Sequence, residues 1–440
     1  VTYPETIAYL YDLLPVFQRQ GRAAYKKDLT NTHALLEALG NPQQHFRSLH
    51  VGGTNGKGSV ASLLASVLTE HFSGGVGLYT SPHMLDFTER IRLDGQPVPQ
   101  EWVVDFVAAH KALIERIQPS FFELTVAMSF TYFGGQQVRM AVVEVGMGGR
   151  LDSTNVLKPE LAVITNIGWD HMEFLGDTLA KIAGEKAGII KAQTPVVVGQ
   201  SLPETRPVFQ RAATDVYAPL TFAEHHYHLV RRGADLYHAQ FDVFRDEKLD
   251  LVQLSCGLTG FYQQANLRTA LCALAVWAET QDEDLDELSV RKGCRNVRQN
   301  SGLRGRMEVL REQPTLLTDV AHNVEGIAAM LEHIKHLGAS KLHLVIGFSV
   351  EKDLERILPL FPDTATYYFV RADLPRARDA KELALLARHF NLKGQAYPTV
   401  AAGVEAALVA ADLTDLVVVS GSVFTVAETL AWAEADASQS

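Results

Sequence analysis

The sequence predicts an α/β protein in two parts: an N-terminal domain on a mostly parallel sheet with a small antiparallel element, and a smaller α/β C-terminal domain. Three observations point to this. Short apolar runs of strand length recur with helical stretches between most of them, as in a parallel sheet covered on both faces. One run, Ser48-Leu49-His50-Val51, leads straight into a glycine-rich turn and an apolar helix. A short polar stretch near residue 300 divides the series in two. The 440 residues are 47% hydrophobic and 21% charged, which excludes wholesale disorder. At roughly 100–200 residues per domain, that length allows about two to four domains.

The elements are expected in this order. Ile7, Leu10, Leu13 and Leu14 recur at helical spacing, and a second helix is predicted from about Thr32 to Leu39, ended by Gly40-Asn41-Pro42. The strand at 48–51 and the turn at 52–59 precede a predicted helix from Val60 to about His71. Strands are predicted at 76–79, 140–145, 161–164 and 195–198, with helices over 102–117, 122–133 and 179–190. From about Ala218 to Leu258, Tyr, His, Val and Phe alternate with polar residues, which reads as a small antiparallel element or inserted hairpin. A predicted helix over 263–280 restores the earlier pattern. Arg298-Gln299-Asn300-Ser301-Gly302 is polar and aperiodic, and marks the expected boundary between domains 1–298 and 303–440. Beyond it, strands are predicted at 316–320, 342–346, 367–370 and 416–419, and helices over 324–337, 353–360, 380–390 and 423–433. This second series is Rossmann-like but lacks the dinucleotide Gly-x-Gly-x-x-Gly.

Charge and cysteine content narrow the function classes. With 40 basic and 51 acidic residues the net charge is −11, unsuited to coating nucleic acid or an anionic membrane. An anionic ligand would have to be held locally, by backbone N–H groups, lysine or a metal. Cys256, Cys272 and Cys294 form no Cys-x-x-Cys pair, which argues against a disulfide framework or structural zinc and for a reducing cytoplasm. No apolar run approaches the roughly 18 residues that span a bilayer, and the N-terminus lacks a basic-then-apolar signal. The expectation is a cytoplasmic monomer acting on small molecules.

The strongest chemical signal is the strand–turn–helix around Gly52-Gly53-Thr54-Asn55-Gly56-Lys57-Gly58-Ser59. Glycines let several N–H groups converge on phosphate oxygens at the positive end of a helix. Lys57 supplies a mobile cation and Ser59 a hydroxyl for phosphate or Mg²⁺. This makes the first domain P-loop-type, with departures from the strict Walker pattern: Val51 stands five before Gly56, and Gly58 follows the lysine. Glu144 ends an apolar strand and opens Val145-Gly146-Met147-Gly148-Gly149-Arg150-Leu151-Asp152. A carboxylate there suits a Mg²⁺ ligand, and equally a helix cap. Ser81, His83 and His171 lie just past strand ends, and their spacing does not separate structural from ligand roles.

Gly53 to Ser59, Thr80-Ser81-Pro82-His83, Glu144 to Asn155, Asp170-His171, Glu185-Lys186-Ala187-Gly188 and Asp319-Val320-Ala321-His322-Asn323 occur in one order. As a set they resemble the folylpolyglutamate synthase/dihydrofolate synthase family, a branch of the Mur ligase superfamily, over nearly the whole chain. The resemblance implies an ATP-dependent amide ligase. A folate-type carboxylate would take the γ-phosphoryl group of ATP, and the amine of L-glutamate would displace phosphate from the acyl phosphate. Such chemistry rests on positioned phosphates and metal charge more than on a protein nucleophile.

Residue by residue, the resemblance implies that Asn55, Gly56, Lys57, Gly58 and Ser59 hold the ATP phosphates. It implies that Ser81, Glu144 and His171 ligate Mg²⁺, although imidazole is not that ion's preferred partner. Lys186 would be carbamylated and would serve a second Mg²⁺; from the sequence alone it reads as a solvated surface charge. Lys57, His171 and Lys186 form the implied catalytic set. Asn266, Arg306 and Asp319 match positions that contact adenosine, with His322 beside them; Tyr262 stands where the family commonly has His. The implied pterin segments are Lys27-Asp28-Leu29, Phe121-Phe122-Glu123 and Leu151-Asp152-Ser153. Aromatic faces suit a flat pterin and carboxylates suit its N–H donors, while Phe121 and Phe122 also read as helix-start core. Gly149-Arg150-Leu151-Asp152 resembles the bacterial bifunctional members, so both dihydropteroate and reduced folate are expected acceptors.

Two other readings compete: a Mur-type cell-wall peptide ligase, and an ATP-dependent regulatory switch. The first normally needs a UDP-binding domain of ~100 residues before the glycine turn, and 52 residues precede Gly53. The second is disfavoured by the acidic balance and the lack of a long partner-binding tail.

Overall fold

The computed structural model describes residues 1–13, 28–170 and 172–437. Leu14, Lys27 and His171, singled out above, lie outside the described residues. The chain forms two compact units. The first comprises Val1–Gly233, His238–Gly257 and Gln263–Leu303; the second comprises Ala234–Tyr237, Leu258–Tyr262 and Arg304–Ser440.

The first unit is built on eight strands: β1 (Ser48–Gly52), β2 (Val76–Tyr79), β3 (Ile91–Leu93), β4 (Gln96–Pro97), β5 (Met140–Glu144), β6 (Leu161–Ile164), β7 (Val196–Val198) and β8 (Leu220–Phe222). Their spatial order is β4-β3-β2-β5-β1-β6-β7-β8. β2, β5, β1, β6, β7 and β8 run parallel, while β3 and β4 turn back as an antiparallel edge. The parallel strands are rich in β-branched residues buried on both faces, such as Val51, Val142, Val163, Ile164 and Val197.

The helices around this sheet are α1 (Tyr3–Leu13), α2 (Thr30–Ala38), α3 (Lys57–Phe72), α4 (Gln100–Ile117), α5 (Phe121–Gly135), α6 (Leu179–Ala187), α7 (Arg206–Asp215), α8 (Gln263–Gln281), α9 (Glu287–Arg295) and α10 (Val297–Ser301). α3 is buried from Gly58 to Leu68, so it carries no amphipathic stripe. α9 approaches it closely through Gly293, where an added Cβ would collide with Val67. Ser66 Oγ donates to Gly293 O at 2.7 Å across the same contact.

Two readings of the sequence change here. The antiparallel element expected over 218–258 is a three-stranded sheet of β9 (Tyr227–Ala234), β10 (Ala239–Arg245) and β11 (Lys248–Cys256), but Leu220–Phe222 instead extends the main sheet parallel to β7. A three-residue strand does not reveal its partner in sequence. The stretch 298–302, read as a boundary linker, is largely the helix α10, with Val297 and Ser301 buried. Its polarity serves packing: Asn300 Nδ2 donates to Glu70 Oε1 at 2.9 Å, and Gly302 ends the helix at φ 68°.

The second unit has six strands: β12 (Arg306–Glu312), β13 (Thr315–Asp319), β14 (Leu342–Ile346), β15 (Thr366–Phe369), β16 (Gly394–Ala396) and β17 (Leu416–Ser420), in the order β12-β13-β17-β14-β15-β16. All are parallel except β12, which pairs antiparallel with β13. Its longer helices are α11 (Val324–Lys335), α12 (Ala380–Arg388), α13 (Val400–Ala410) and α14 (Val423–Ala437). β12, β16 and α13 go beyond the elements expected from sequence. β12 is charged and half-buried, β16 is Gly-Gln-Ala, and α13 is rich in alanine. Among the described residues, no helix is long and apolar enough to cross a membrane.

Because Gly293 fixes the approach of α9 to α3, Gly293→Ala should overpack that contact and lower stability by about 1–3 kcal/mol. Thermal unfolding checks this. Gly135→Ala in α5, where an added Cβ meets open space, should leave the midpoint unchanged or raise it.

Candidate active site

The carboxyl ends of β2, β5, β1 and β6 lie side by side. β1 leads to β2 on one side, whereas β6 leads to β7 on the other, so the connections diverge and leave a crevice between them. Four loops meet at this edge: 53–56 after β1, 80–83 after β2, 145–152 after β5 and 165–170 after β6.

The glycine turn is shaped by what surrounds it. Gly53 (φ 139°) and Gly56 (φ 82°) adopt backbone angles that disfavour side chains. A Cβ would also run into Thr165 at the first and the Asn266 carboxamide at the second. Thr54 N donates to Asn166 O at 2.9 Å, Asn55 N to Asn166 Oδ1 at 2.9 Å, and Thr165 Oγ1 to Asn55 O at 2.6 Å. Gly56 caps α3 without a side-chain hydrogen bond, so the helix start is laid out for an anion. Lys57 Nζ folds back to Thr54 O at 3.1 Å. Gly58 and Ser59 are buried in the first turn of α3. Gln263 Nε2 donates to Ser59 Oγ at 3.2 Å, and Asn266 Nδ2 donates to Gln263 Oε1 at 2.8 Å, so α8 closes onto the turn.

Glu144 is paired in register with Val51, one strand from the turn, and is 5% exposed. Its Oε2 accepts Ser81 N–H at 3.1 Å, which sets a carboxylate beside a serine. Among the described residues no group of three or more His, Cys, Asp or Glu could hold a metal. One carboxylate and one hydroxyl near a phosphate turn fit Mg²⁺, which keeps waters and takes phosphate oxygens. The open question over His83 is answered by its contacts. Arg90 Nε donates to Nδ1 at 2.8 Å, so the ring proton sits on Nε2, 3.3 Å from the Tyr11 hydroxyl. Burial, with the Arg90 cation, holds its pKa at about 3. His83 is a neutral structural residue.

Lys186 is not a solvated surface charge: it is 4% exposed. Its Nζ donates to Gly53 O at 2.8 Å. Burial, then the nearby Lys57 cation, lower its pKa to about 7, against the opposing pull of Asp170 and Asp152. Arg150 N–H donates to Glu185 O at 2.8 Å, tying the loop after β5 to the same helix, α6.

The pterin segments divide. Asp28 and Leu29 lead into α2, where Asp28 Oδ1 accepts Thr30 N–H at 2.9 Å. Phe121 is core: Tyr11 stacks on it at 5.0 Å, Phe87 meets it edge-on at 5.7 Å, and Arg90 lies 5.3 Å from its centroid. Glu123 closes a capping box, accepting Ser120 N–H at 2.6 Å while Ser120 Oγ accepts Glu123 N–H at 3.2 Å. Its position is explained by starting α5. Phe122 is half-buried, and its ring covers Gly146, where a Cβ would strike it. Leu151 is half-buried, and Asp152 and Ser153 are buried. Asp152 Oδ2 accepts Met147 N–H at 2.9 Å and Oδ1 accepts Thr154 N–H at 3.0 Å. Burial nevertheless raises its pKa above the usual carboxylate value.

In the second unit, Asp319 ends β13 at 3% exposure. It accepts Met307 N–H at 3.0 Å, Ala321 N–H at 2.9 Å and the Tyr262 hydroxyl, so Tyr262 is Asp319's partner. Burial raises the Asp319 pKa. Arg306 lies opposite Asp319 in register and donates to Gly305 O at 3.1 Å. His322 Nδ1 lies 2.9 Å from Val320 O, and Asn323 caps α11 by accepting Gly326 N–H at 2.8 Å.

Sequence reasoning missed Thr165, Asn166 and Gln263 as shapers of the glycine turn. The available signals were polar residues straight after β6 and a glutamine one helical turn before Asn266.

The Mur ligase middle domain matches residues 51–274, and the Mur ligase, glutamate ligase domain matches residues 305–423. The chain is 34% identical over 360 residues to the Folylpolyglutamate synthase of Lacticaseibacillus casei, covering 80% of this chain and 81% of that protein. The chain belongs to the folylpolyglutamate synthase/dihydrofolate synthase family. It is also 34% identical to the Dihydrofolate synthase/folylpolyglutamate synthase of Bacillus subtilis, over 81% of this chain and 84% of that one. The structure of E. coli FolC in complex with DHPP and ADP superposes with a TM-score of 0.86 at 28% identity, covering 100% of this chain and 99% of that one. Membership of this family accounts for the order of the motifs along the chain, and the parallel sheet for the meeting of the first unit's loops at one edge.

Gly56→Ala should abolish measurable ATP binding by calorimetry, through both its φ and the Asn266 carboxamide.

Proposed function

We propose that this chain is an ATP-dependent amide ligase that joins L-glutamate to dihydropteroate, forming dihydrofolate, and to reduced folates, extending a γ-glutamate chain. The observation that carries this reading is the meeting of the glycine turn and Lys57 with the Ser81–Glu144 pair and buried Lys186 at one sheet edge, in a chain of this family.

The chemistry runs in two steps. A carboxylate oxygen of the pterin substrate attacks the γ-phosphorus, the bond to the bridging oxygen breaks, and ADP leaves an acyl phosphate. The glutamate nitrogen then attacks the acyl carbon, phosphate departs, and the nitrogen loses a proton as the amide forms. The protein's task is to place charge where it develops. Asn55, Gly56, Gly58 and Ser59 offer backbone and hydroxyl groups to the phosphates, and Lys57 swings from Thr54 O to the terminal phosphates. Ser81 and Glu144 would hold Mg²⁺, with His171 completing the set by resemblance. When bound, that ion would supply charge neutralisation of the phosphates.

Lys186 is proposed to be carbamylated and to serve a second Mg²⁺. The neutral amine attacks the carbon of CO₂, an N–C bond forms and a proton is released, turning a buried cation into an anionic oxygen ligand. Burial supports this step by making the neutral amine available near pH 7. Phe122, Leu151, Asp152 and Ser153 are proposed to receive the pterin. Asn266, Arg306, Asp319 and His322 are proposed to receive adenosine, and residues 1–298 and 303–440 to act as the ATP-binding and C-terminal ligase domains. The enzyme is proposed to work as a cytoplasmic monomer.

Phosphate release should require ATP, Mg²⁺, L-glutamate and a pterin acceptor together, with 7,8-dihydropteroate and tetrahydrofolate compared side by side. ADP release that ignores the pterin overturns the reading. Lys57→Ala should lower kcat by at least about a hundredfold with the fold intact by circular dichroism. Lys186→Ala should lose activity and regain part of it with added short carboxylates; undiminished activity in that variant removes Lys186 from the site.

A further inference from the structure

Two fully buried polar side chains, His50 and Thr154, have no part in the steps above. His50 stands in β1 two residues before Gly52, so both face the same side of the sheet. That side carries the chain leaving β5, since a Cβ on Gly52 would meet Val145 and Ile189. His50 Nε2 lies 2.8 Å from Thr154 Oγ1, and the Thr154 hydroxyl lies 2.5 Å from Asp152 Oδ1. A line of hydrogen bonds thus runs from the central strand to the carboxylate that organises the 146–152 turn under Phe122.

The direction of that line follows from burial. The His50 ring is neutral: burial, reinforced by the Lys191 cation, holds its pKa at about 3. Lys191 itself donates to Asn155 O at 2.8 Å, beside Thr154. A neutral ring has one N–H, and among the described residues Nδ1 has no hydrogen-bond partner. A buried unpaired N–H costs more than a buried unpaired lone pair. The proton therefore sits on Nε2 and points at Thr154. Thr154 Oγ1 accepts it and directs its own proton to Asp152. Asp152 also accepts the N–H groups of Thr154 and Met147, so every donor in the line points toward the carboxylate.

We propose that His50 and Thr154 are positioning residues for the pterin substrate, holding Asp152 in the single rotamer that closes the 146–152 turn and sets the platform of Gly146 and Phe122 on which a flat heterocycle lies. The inference rests on the assignment of that turn to the pterin. His50 is fully buried and acts through Thr154, so its influence reaches the substrate without contact. The glycine turn, although it follows the same strand, is held by a separate set of bonds from Thr165, Asn166 and Lys186.

The test measures KM for 7,8-dihydropteroate and for ATP in His50→Leu, Thr154→Val, the double variant, His50→Gln and Asp152→Asn, with thermal unfolding recorded for each. His50→Leu and Thr154→Val should each raise the dihydropteroate KM by about tenfold, the upper scale of one net hydrogen bond, with the ATP KM unchanged. The double variant should be no worse than either single one, because both break one line. His50→Gln, which keeps an N–H donor, should return the dihydropteroate KM to within about threefold of the parent. Equal rises in both KM values, or additive single effects, overturn the proposal in favour of a general distortion of β1. If Asp152→Asn raises the dihydropteroate KM while His50→Leu and Thr154→Val do not, the line of bonds has no positioning role. If Asp152→Asn leaves that KM unchanged, the assignment of the turn to the pterin fails instead.

Discussion

The structure of the site depends on the way the backbone of one glycine turn is tied to its neighbours. Gly53 offers its carbonyl to Lys186, Thr54 its N–H to Asn166, and Asn55 both its N–H to Asn166 and its carbonyl to Thr165. These partners come from the loop after β6 and from α6, so the turn is rigid only when β1 and β6 are in register. The pairings of Val51 with Glu144 and with Val163 supply that register and bring the Glu144 carboxylate alongside. Glycine is needed at 53 and 56 because these neighbours occupy the volume where side chains would stand.

Electrostatics follows from the same geometry. The chain carries a net charge of −11, so nothing global draws in triphosphate, folate or glutamate. The local field differs. Lys57 and Lys186 both bond to the carbonyls of one short turn, and Lys186 is buried, so each cation raises the cost of the other. Asp152 and Asp170 offset part of that cost for Lys186. A polyanion at the turn relieves the repulsion, and so does conversion of Lys186 to an anion. The proposed binding of phosphate at this turn would relieve that repulsion between two like charges in a medium of low dielectric.

Particular residues show how far the sequence could be read. The glycine turn, Lys57 and Glu144 were legible because their chemistry is local: φ, a helix start and a strand end are properties of a few adjacent residues. Phe121, Phe122 and Glu123 were not separable in sequence, since adjacent residues at a helix start point in different directions. One is core, one covers Gly146, and one caps α5. Lys186 read as a surface lysine because burial depends on how the α6 helix meets the glycine turn. The polar run at 298–302 resembled a linker because its partner, Glu70, lies far away in sequence.

The sequence by itself determined the α/β class, the order of the motifs and the glycine turn, since strand length, helix period and turn residues are encoded over short spans. Only the tertiary structure decided which of those motifs share an edge. Parallel strands meet by sheet order, and the order β2-β5-β1-β6 is set by crossovers that no local pattern reveals. The same holds for the lowered pKa of Lys186 and for the line of bonds from His50 to Asp152. Both are consequences of burial, and burial is a property of what the rest of the chain places around a residue.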